Sequence, residues 1–201
     1  MRKSLKRRGT CHVFGDRIPL DEGIMPFKFA IERINDPEKL IPHLFKGTDP
    51  DFPSKVKPGD FVLAGKEFAC GKPHVQGFIA MAALDMSVLC ESMPYKAMRR
   101  AVAVGLPLLT GCNPGAGFAK SGDEIEVDFE SGAARNISTG VSVTLPAMSP
   151  ILREIVANGG MNGALAAWLA EHPEQAAGES ADLERPGPAV APVKFASAKA
   201  S

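Results

Sequence analysis

The stretch DFVLAGKEFACGKPHVQGF, residues 60–78, combines a short apolar run, a loop of small and polar residues, and the beginning of a second apolar segment. DFVLAG is bounded by turn residues, which predicts a fully buried strand. Residues 75–84 place apolar side chains at helical spacing. A strand, a glycine-containing loop and a helix in this order predict a parallel α/β unit, in which ligands collect at the loop.

The segments on both sides continue this alternation. CHVFGD, from Cys11, predicts a strand, PLDEGIMPF an irregular loop, and DPEKLIPHLF a helix capped by Asp36. SVLCES and LPLLTG predict further strands, with PYKAMRRAVAVG as a helix between them. DEIEVDFESGAARNISTG alternates like a hairpin with its turn at Ser131-Gly132, and PILREIVANGG predicts a final helix. The sequence therefore predicts an α/β domain with crossover helices and an added hairpin.

The composition predicts one domain and a tail. A chain of 201 residues with 45% hydrophobic residues can bury a core without disulfides or metals. We expect a basic N-terminal arm at residues 1–8, the α/β domain at 9–173 and a disordered Ala/Pro-rich tail at 174–201. The 23 basic and 23 acidic residues cancel, so nucleic acid is not an expected partner.

The cysteines and the N-terminus indicate a cytoplasmic protein. Cysteines at 11, 70, 90 and 112 form no CxxC pair, so no metal or cluster bound by this chain alone is predicted. The run MRKSLKRR lacks the apolar stretch of a secretory signal. No segment approaches the roughly 18 to 20 apolar residues of a membrane span, so no membrane partner is expected.

The loop FACGKPHVQGF, residues 68–78, offers groups suited to anions. Its strand-to-helix turn exposes backbone N–H groups, and Lys72 adds a positive charge. His74 could act as a general acid or base near neutral pH. Alternatively, Gly71 and Pro73 only shape a turn while Lys72 and His74 are solvated. The residues alone leave both interpretations open, because no phosphate-loop or nucleophile-elbow pattern is present.

Two other charged clusters are open to more than one interpretation. Asp16, Asp21 and Glu22 could orient a base or bind a metal, or they could cap turns and face water. The Arg99-Arg100 pair, on a predicted helix, could bind a carboxylate substrate or form a solvated helix face.

Taken together, the segments resemble the small subunit, or swivelling domain, of the aconitase and isopropylmalate dehydratase family. The matching pieces lie within residues 9–163 and are VFGDRIPLDEGIMPFKF, DPDFPSKVKPGDFVLAGKEFACG, GLPLL, SGDEIEVDFESG and PILREIVANGGM. The resemblance implies the layered β/β/α fold of that swivelling domain.

The resemblance also implies a function. Family members remove water from, and add it to, branched hydroxy di- or tricarboxylates. Three cysteines of a separate large subunit or domain hold a 4Fe-4S cluster, and the small subunit closes over it. The expectation for this chain is a hydro-lyase active only with a large aconitase-type subunit, with a small hydroxy acid as substrate and possible isomerisation of that acid.

The loop departs from the family pattern. After Cys-Gly the family usually has Ser-Ser-Arg-Glu, in which the serine abstracts the proton and the arginine holds a substrate carboxylate. Here Lys72, Pro73 and His74 follow Gly71. We therefore hypothesise that His74 transfers the proton, with Asp21, retained from an early family motif, as a second catalytic residue. Gly71 and Lys72 are expected to bind substrate, with Lys72 or His74 replacing the arginine.

Residues 27–33 occupy the place of the family's specificity loop, so Lys28 and Ile31 are expected to contact substrate as well. Two alternatives remain. One is a non-catalytic regulatory or binding subunit that kept the fold and lost the serine. The other is a cluster-independent lyase of the kind known among distant aconitase relatives. A neighbouring reading frame encoding a large subunit with three cluster cysteines would favour the hydro-lyase.

Overall fold

The parallel and antiparallel strands form a single sheet in the computed structural model, which describes residues 2–112 and 117–176. The order across the described sheet is β4-β3-β2-β1-β5-β6-β7. Strands β1 to β4 pair in parallel, and β5 to β7 continue from β1 in antiparallel fashion. The strands are β1 (Lys6–Val13), β2 (Phe61–Ala64), β3 (Ser87–Cys90), β4 (Leu108–Leu109), β5 (Glu124–Asp128), β6 (Ala133–Asn136) and β7 (Ser142–Thr144).

Two of the three crossovers between the parallel strands are made by single helices, as the sequence predicted. The described helices are α1 (Lys28–Ile31), α2 (Pro37–Leu40), α3 (Phe52–Lys55), α4 (Gln76–Ala83), α5 (Tyr95–Ala103), α6 (Pro150–Ala157), α7 (Met161–Glu171) and α8 (Pro173–Ala176). These two helices are α4, which connects β2 to β3, and α5, which connects β3 to β4. None of these helices is long and apolar enough to cross a bilayer.

The single helix predicted for DPEKLIPHLF is divided into α2 and a 3-10 turn, Ile41–His43. Pro42 has no N–H to donate to the preceding turn, so regular α-helical hydrogen bonding cannot continue through it. The predicted cap is confirmed, because the Asp36 side chain accepts a hydrogen bond from the Glu38 N–H at 3.1 Å.

Strand β2 is buried along its whole length, as DFVLAG predicted. Its alternate side chains enter two apolar clusters on opposite faces of the sheet. Val62 joins a cluster rich in phenylalanine that includes Phe45 and Phe78, whereas Phe61 packs with Phe129 on the other face. Burial on both faces explains why this strand is continuously apolar.

The hairpin is confirmed at the predicted place. Strands β5 and β6 pair in antiparallel register, with Ile125 opposite Asn136, and the turn contains Ser131 and Gly132. Gly132 has a φ of 79°, a left-handed conformation that glycine adopts without strain. The predicted combination of parallel α/β units and an added hairpin is therefore confirmed.

The basic arm predicted for residues 1–8 requires a correction. Strand β1 begins at Lys6 and pairs with the acidic strand β5 through residue 10, so residues 6–8 belong to the sheet. Arg8 forms an ion pair with Glu124 at 2.8 Å, and Lys6 forms one with Glu126 at 3.2 Å. The partner strand lies more than a hundred residues away, so a local reading of MRKSLKRR could not reveal this pairing.

The described residues divide into two units, one that ends at Ala167 and one that begins at Trp168. Residues 174–176 are part of α8, so the predicted tail does not begin at 174. Residues 177–201 lie outside the described residues, and disorder there stays a prediction.

Asp60 lies just before β2 and joins that strand to the preceding connector and to strand β1. It is 3% exposed. Its carboxylate accepts hydrogen bonds from the N–H groups of Lys57 (2.8 Å) and Thr10 (3.3 Å) and lies 2.9 Å from His12 Nε2. It therefore fixes the connector and strand β1 against the start of β2.

Replacing Asp60 by alanine leaves these donors without an acceptor. We expect Asp60→Ala to lower the free energy of unfolding by about 3 kcal/mol, measured by urea denaturation. Asp51→Ala is the matched control, because Asp51 is exposed and its carboxylate makes no hydrogen bond among the described residues. Equal effects of the two substitutions would contradict this role of Asp60.

Candidate functional site

The loop after β1 and the loop after β2 lie side by side at the carboxyl edge of the parallel strands. The Ala69 N–H donates to the Ile18 carbonyl at 2.9 Å, and the Leu20 N–H donates to the Cys70 carbonyl at 2.7 Å. The hydrogen bonding of β1 and β2 therefore continues beyond the strands into both loops, which fixes their relative position.

Asp21 fixes the backbone of the loop after β2. Its Oδ1 accepts a hydrogen bond from the Lys72 N–H at 3.0 Å. Gly71 has a φ of 84°, and a Cβ placed there would overlap the same oxygen. Only glycine meets both conditions. The geometry thus favours a positioning role for Asp21 over the catalytic role predicted from the sequence.

Asp16 makes the same kind of contact with an earlier part of the loop after β2. Its Oδ1 accepts a hydrogen bond from the Lys66 N–H at 2.8 Å, and a Cβ at Gly65 would overlap that oxygen. In both Gly-Lys pairs of GKEFACGK, the lysine N–H therefore donates a hydrogen bond to an aspartate of the loop after β1. Two members of the acidic cluster, Asp16 and Asp21, therefore shape the backbone of the second loop, whereas Glu22 accepts a hydrogen bond from the Phe27 N–H.

His74 is buried inside this loop, with 6% of its surface exposed. Its Nδ1 lies 3.2 Å from Gln76 Oε1, and Gln76 Nε2 donates to Asn35 Oδ1 at 3.0 Å. An amide oxygen only accepts hydrogen bonds, so this contact assigns the imidazole proton to Nδ1. The lone pair of Nε2 is then free, and this buried atom has no hydrogen-bond partner among the described residues.

Burial lowers the pKa of His74 below its ordinary value. The Gln76 side chain, the Leu20 backbone and the Asp21 charge oppose this effect only in part. Burial therefore favours the neutral imidazole, whose Nε2 has no hydrogen-bond partner among the described residues.

Phe27 connects the loop to the segment predicted to determine specificity. Its ring packs edge-on against the His74 ring, with centroids 5.7 Å apart. Lys72 Nζ lies 4.9 Å from the Phe27 centroid, in cation–π geometry. Lys72 is exposed, so the Phe27 ring contacts both a cation at the surface and the buried imidazole of His74. Phe27 and Gln76 were not predicted as site residues, although both are close in sequence to residues that were.

Lys28 and Ile31 lie on α1, directly after Phe27. Ile31 is 70% exposed, and Lys28 Nζ lies 5.1 Å from the ring centroid of Phe29. Among the described residues, no hydrogen bond or ion pair joins either side chain to the loop after β2. The structure therefore brings together four of the six predicted site residues and leaves these two on the surface of α1.

The cysteines do not fit an iron–sulfur cluster. Burial raises the pKa of Cys11 and of Cys112 to about 11 and that of Cys90 to about 12, which disfavours the thiolate form that binds iron. Cys70 is partly exposed beside Gly71. In the described part of the chain, no three His, Cys, Asp or Glu side chains are grouped to hold a metal.

A substitution at Asp21 tests its positioning role. We expect Asp21→Ala to lower the free energy of unfolding by about 1–2 kcal/mol and to speed hydrogen exchange at the Lys72 amide. Asp21→Asn keeps an acceptor oxygen and should restore most of the protection. Asp16→Ala is the matched control, because it should affect the Lys66 amide instead. Protection of the Lys72 amide in Asp21→Ala would contradict the assignment.

The lowered pKa of His74 predicts an acid-dependent loss of stability. The unfolded chain binds a proton at His74 near the ordinary value of about 6.5, whereas the folded chain binds it only at lower pH. As the pH falls from 7.5 through 6.5, the melting temperature of the wild type should therefore fall relative to that of His74→Gln. His172→Gln is the control. A difference that stays constant with pH would exclude this linkage.

No protein-family model matches the chain, but known small subunits match it over nearly their whole length. The isopropylmalate/citramalate isomerase small subunit of Methanocaldococcus jannaschii is 34% identical over 165 residues, covering 82% of this chain and 96% of the relative. The 2,3-dimethylmalate dehydratase small subunit of Eubacterium barkeri is 32% identical over 158 residues, covering 78% and 94%.

A solved structure shows the same fold. The crystal structure of a 3-isopropylmalate dehydratase from Methanocaldococcus jannaschii superposes with a TM-score of 0.77 at 29% identity, covering 85% of this chain and 99% of that chain. The swivelling α/β fold inferred from sequence resemblance is confirmed. The chain therefore belongs to the family of 3-isopropylmalate dehydratase small subunits within the aconitase superfamily.

Proposed function

We propose that this chain is the small subunit of a hydro-lyase that dehydrates and rehydrates, and so can isomerise, a branched hydroxy di- or tricarboxylate. Its relatives are named for isopropylmalate, citramalate and dimethylmalate. One observation in this chain supports the same chemistry with different residues. The loop after β2 brings the exposed cation Lys72 and the buried imidazole of His74 against the same Phe27 ring, and His74 Nε2 has no hydrogen-bond partner among the described residues.

Each of these residues has a chemical role in the proposal. Lys72 binds a substrate carboxylate as a point charge, without the bidentate geometry that an arginine provides. His74 accepts the proton from the carbon beside that carboxylate at Nε2, while the hydroxyl leaves the neighbouring carbon as the double bond forms. Nε2 is buried, so the proposal requires Phe27 and Lys72 to move aside when the subunits close.

We propose that a large aconitase-type subunit completes the enzyme and holds a 4Fe-4S cluster. Such a cluster supplies a Lewis-acidic iron for the leaving hydroxyl. Since the cysteines of this chain do not fit a cluster, no step at its own residues is assigned to iron. The free cysteines support the further proposal of a reducing, cytoplasmic location.

One observation favours the alternative of a non-catalytic regulatory or binding subunit. His74 lies in the interior, held by Gln76, and Lys72 rests on the Phe27 ring. These contacts are equally suited to a rigid loop that only docks against a partner. Enzyme kinetics with single substitutions distinguish the two functions.

The hydro-lyase proposal predicts activity in a two-subunit complex. The chain is co-expressed with a large subunit that carries three cluster cysteines, purified without oxygen, and screened with branched hydroxy di- and tricarboxylates. We expect co-purification and a rise in ultraviolet absorbance from the conjugated unsaturated acid. A stable complex without activity on any acid would support the non-catalytic subunit. Activity that persists after chelation of iron would instead indicate a cluster-independent lyase.

Substitutions in the loop then assign its residues. We expect His74→Ala to lower kcat by about a hundredfold with KM little changed, and Lys72→Gln to raise KM by about tenfold. The pH profile of kcat should lose its acidic limb in His74→Ala. Lys57→Gln is the control, because Lys57 precedes β2 at the opposite edge of the sheet. Unchanged dehydration rates in His74→Ala would remove His74 from the mechanism.

A further inference from the structure

An open cationic cavity of about 480 Å³ lies between the loop after β2 and helix α5. Pro73, which stands between Lys72 and His74 in the chain, lines the cavity, so the cavity borders the loop of the candidate site. No carboxylate is among the lining residues, which are Pro73, Lys96, Arg99, Arg100 and Ala103.

The positive charges in this cavity are unfavourable in the free chain. Lys96 is three residues before Arg99 and four before Arg100, so like charges are neighbours on the helix surface. Lys96 also lies in the first turn of α5, where the helix dipole disfavours a cation. Within residues 2–112 and 117–176, none of the three forms an ion pair. A bound anion would relieve both effects.

The two arginines are restrained by their own helix. The Arg99 guanidinium lies 5.7 Å from the ring centroid of Tyr95, and Arg100 Nη1 donates to the Lys96 carbonyl at 3.3 Å. These contacts use few of the guanidinium N–H donors. The remaining donors can form the two parallel hydrogen bonds that bind a carboxylate strongly.

The position and size of the cavity favour a small molecule. Burial is the main cause of the lowered pKa of His74, and the positive charge of Arg100 lowers it to a smaller extent. The charge of Arg100 therefore acts on the His74 imidazole. The volume of the cavity, about 480 Å³, is within the size range of small-molecule sites. A carboxylate of the substrate therefore fits better than an acidic surface of the large subunit.

We propose that Lys96, Arg99 and Arg100 form a subsite for a distal, third carboxylate of the substrate. Lys72 contacts the carboxylate beside the reacting carbons. This proposal rests on the proposed function and narrows it, because a hydroxy tricarboxylate becomes the preferred substrate over a malate-type dicarboxylate. The distal carboxylate takes no part in bond making or breaking.

The first test measures binding to the full chain alone and needs no enzyme activity. Propane-1,2,3-tricarboxylate, which has no hydroxyl to lose, is titrated while amide NMR signals are followed, with glutarate as the dicarboxylate comparison. We expect the tricarboxylate to shift signals of Lys72 and of residues 96–103. Its Kd should rise about tenfold in Arg100→Gln, with a smaller change for glutarate. Arg135→Gln, at an exposed arginine of β6, is the matched control.

The second test uses the two-subunit complex. Arg100→Gln should raise KM for hydroxy tricarboxylates about tenfold, leave kcat within about twofold, and change KM for hydroxy dicarboxylates little. An equal effect on both substrate classes would overturn the proposal, and so would a titration in which Arg135→Gln weakens binding as much as Arg100→Gln.

Two further outcomes separate the proposals. If Arg100→Gln prevents co-purification of the large subunit while tricarboxylate binding to the free chain is unchanged, the surface is a subunit contact and the subsite is rejected. If the complex dehydrates no acid but Arg100→Gln still abolishes specific tricarboxylate binding, the proposed function fails and the subsite stands.

Discussion

The candidate site depends on two aspartates of the loop after β1 that fix the backbone of the loop after β2. Asp16 and Asp21 each accept an N–H from a lysine that follows a glycine, and neither glycine has room for a side chain. The second loop is therefore fixed at two points six residues apart, on the rigid edge of the parallel strands. A loop restrained in this way can present side chains with defined geometry, which catalysis and binding both require.

This restraint explains how two polar groups coexist within one short loop. Because the backbone of Lys72 is held by Asp21, its side chain extends over the Phe27 ring, while His74 turns inward to Gln76. The aromatic ring lies against both the ammonium group and the imidazole. The result is an exposed cation and a buried imidazole within three residues of chain.

The cations of α5 extend this electrostatic pattern. The family's usual arginine is absent from the loop, and here the positive charge is distributed between Lys72 and the neighbouring helix. Helix α5 packs beside α4 and follows strand β3, so its first turns reach the same edge of the sheet as the loop. A substrate pocket bounded by both elements would be wider and more positive than one formed by the loop alone.

The amino-acid sequence determined most of the elements, because apolar periodicity, proline and glycine act locally. Strand β2, helices α4 and α5, and the hairpin at Ser131-Gly132 all follow from such signals. The family resemblance located the loop, and residue type identified Lys72 and His74 as its chemical groups. Contacts between distant segments were outside the reach of local patterns. Arg8 pairs with Glu124, for example, across more than a hundred residues.

Only the tertiary structure shows what surrounds the charged groups. Asp21 reads as a catalytic carboxylate in the sequence, and in the structure it accepts a hydrogen bond from the Lys72 N–H of another loop, which favours a positioning role. His74 reads as a general base or a solvated side chain, but it is buried against Phe27 and Gln76, and burial lowers its pKa. Arg99 and Arg100 resemble a solvated helix face in the sequence, whereas in the structure they line an open cavity with Pro73. In each case the role depends on a neighbour brought close by folding, because charge and desolvation act through space rather than along the chain.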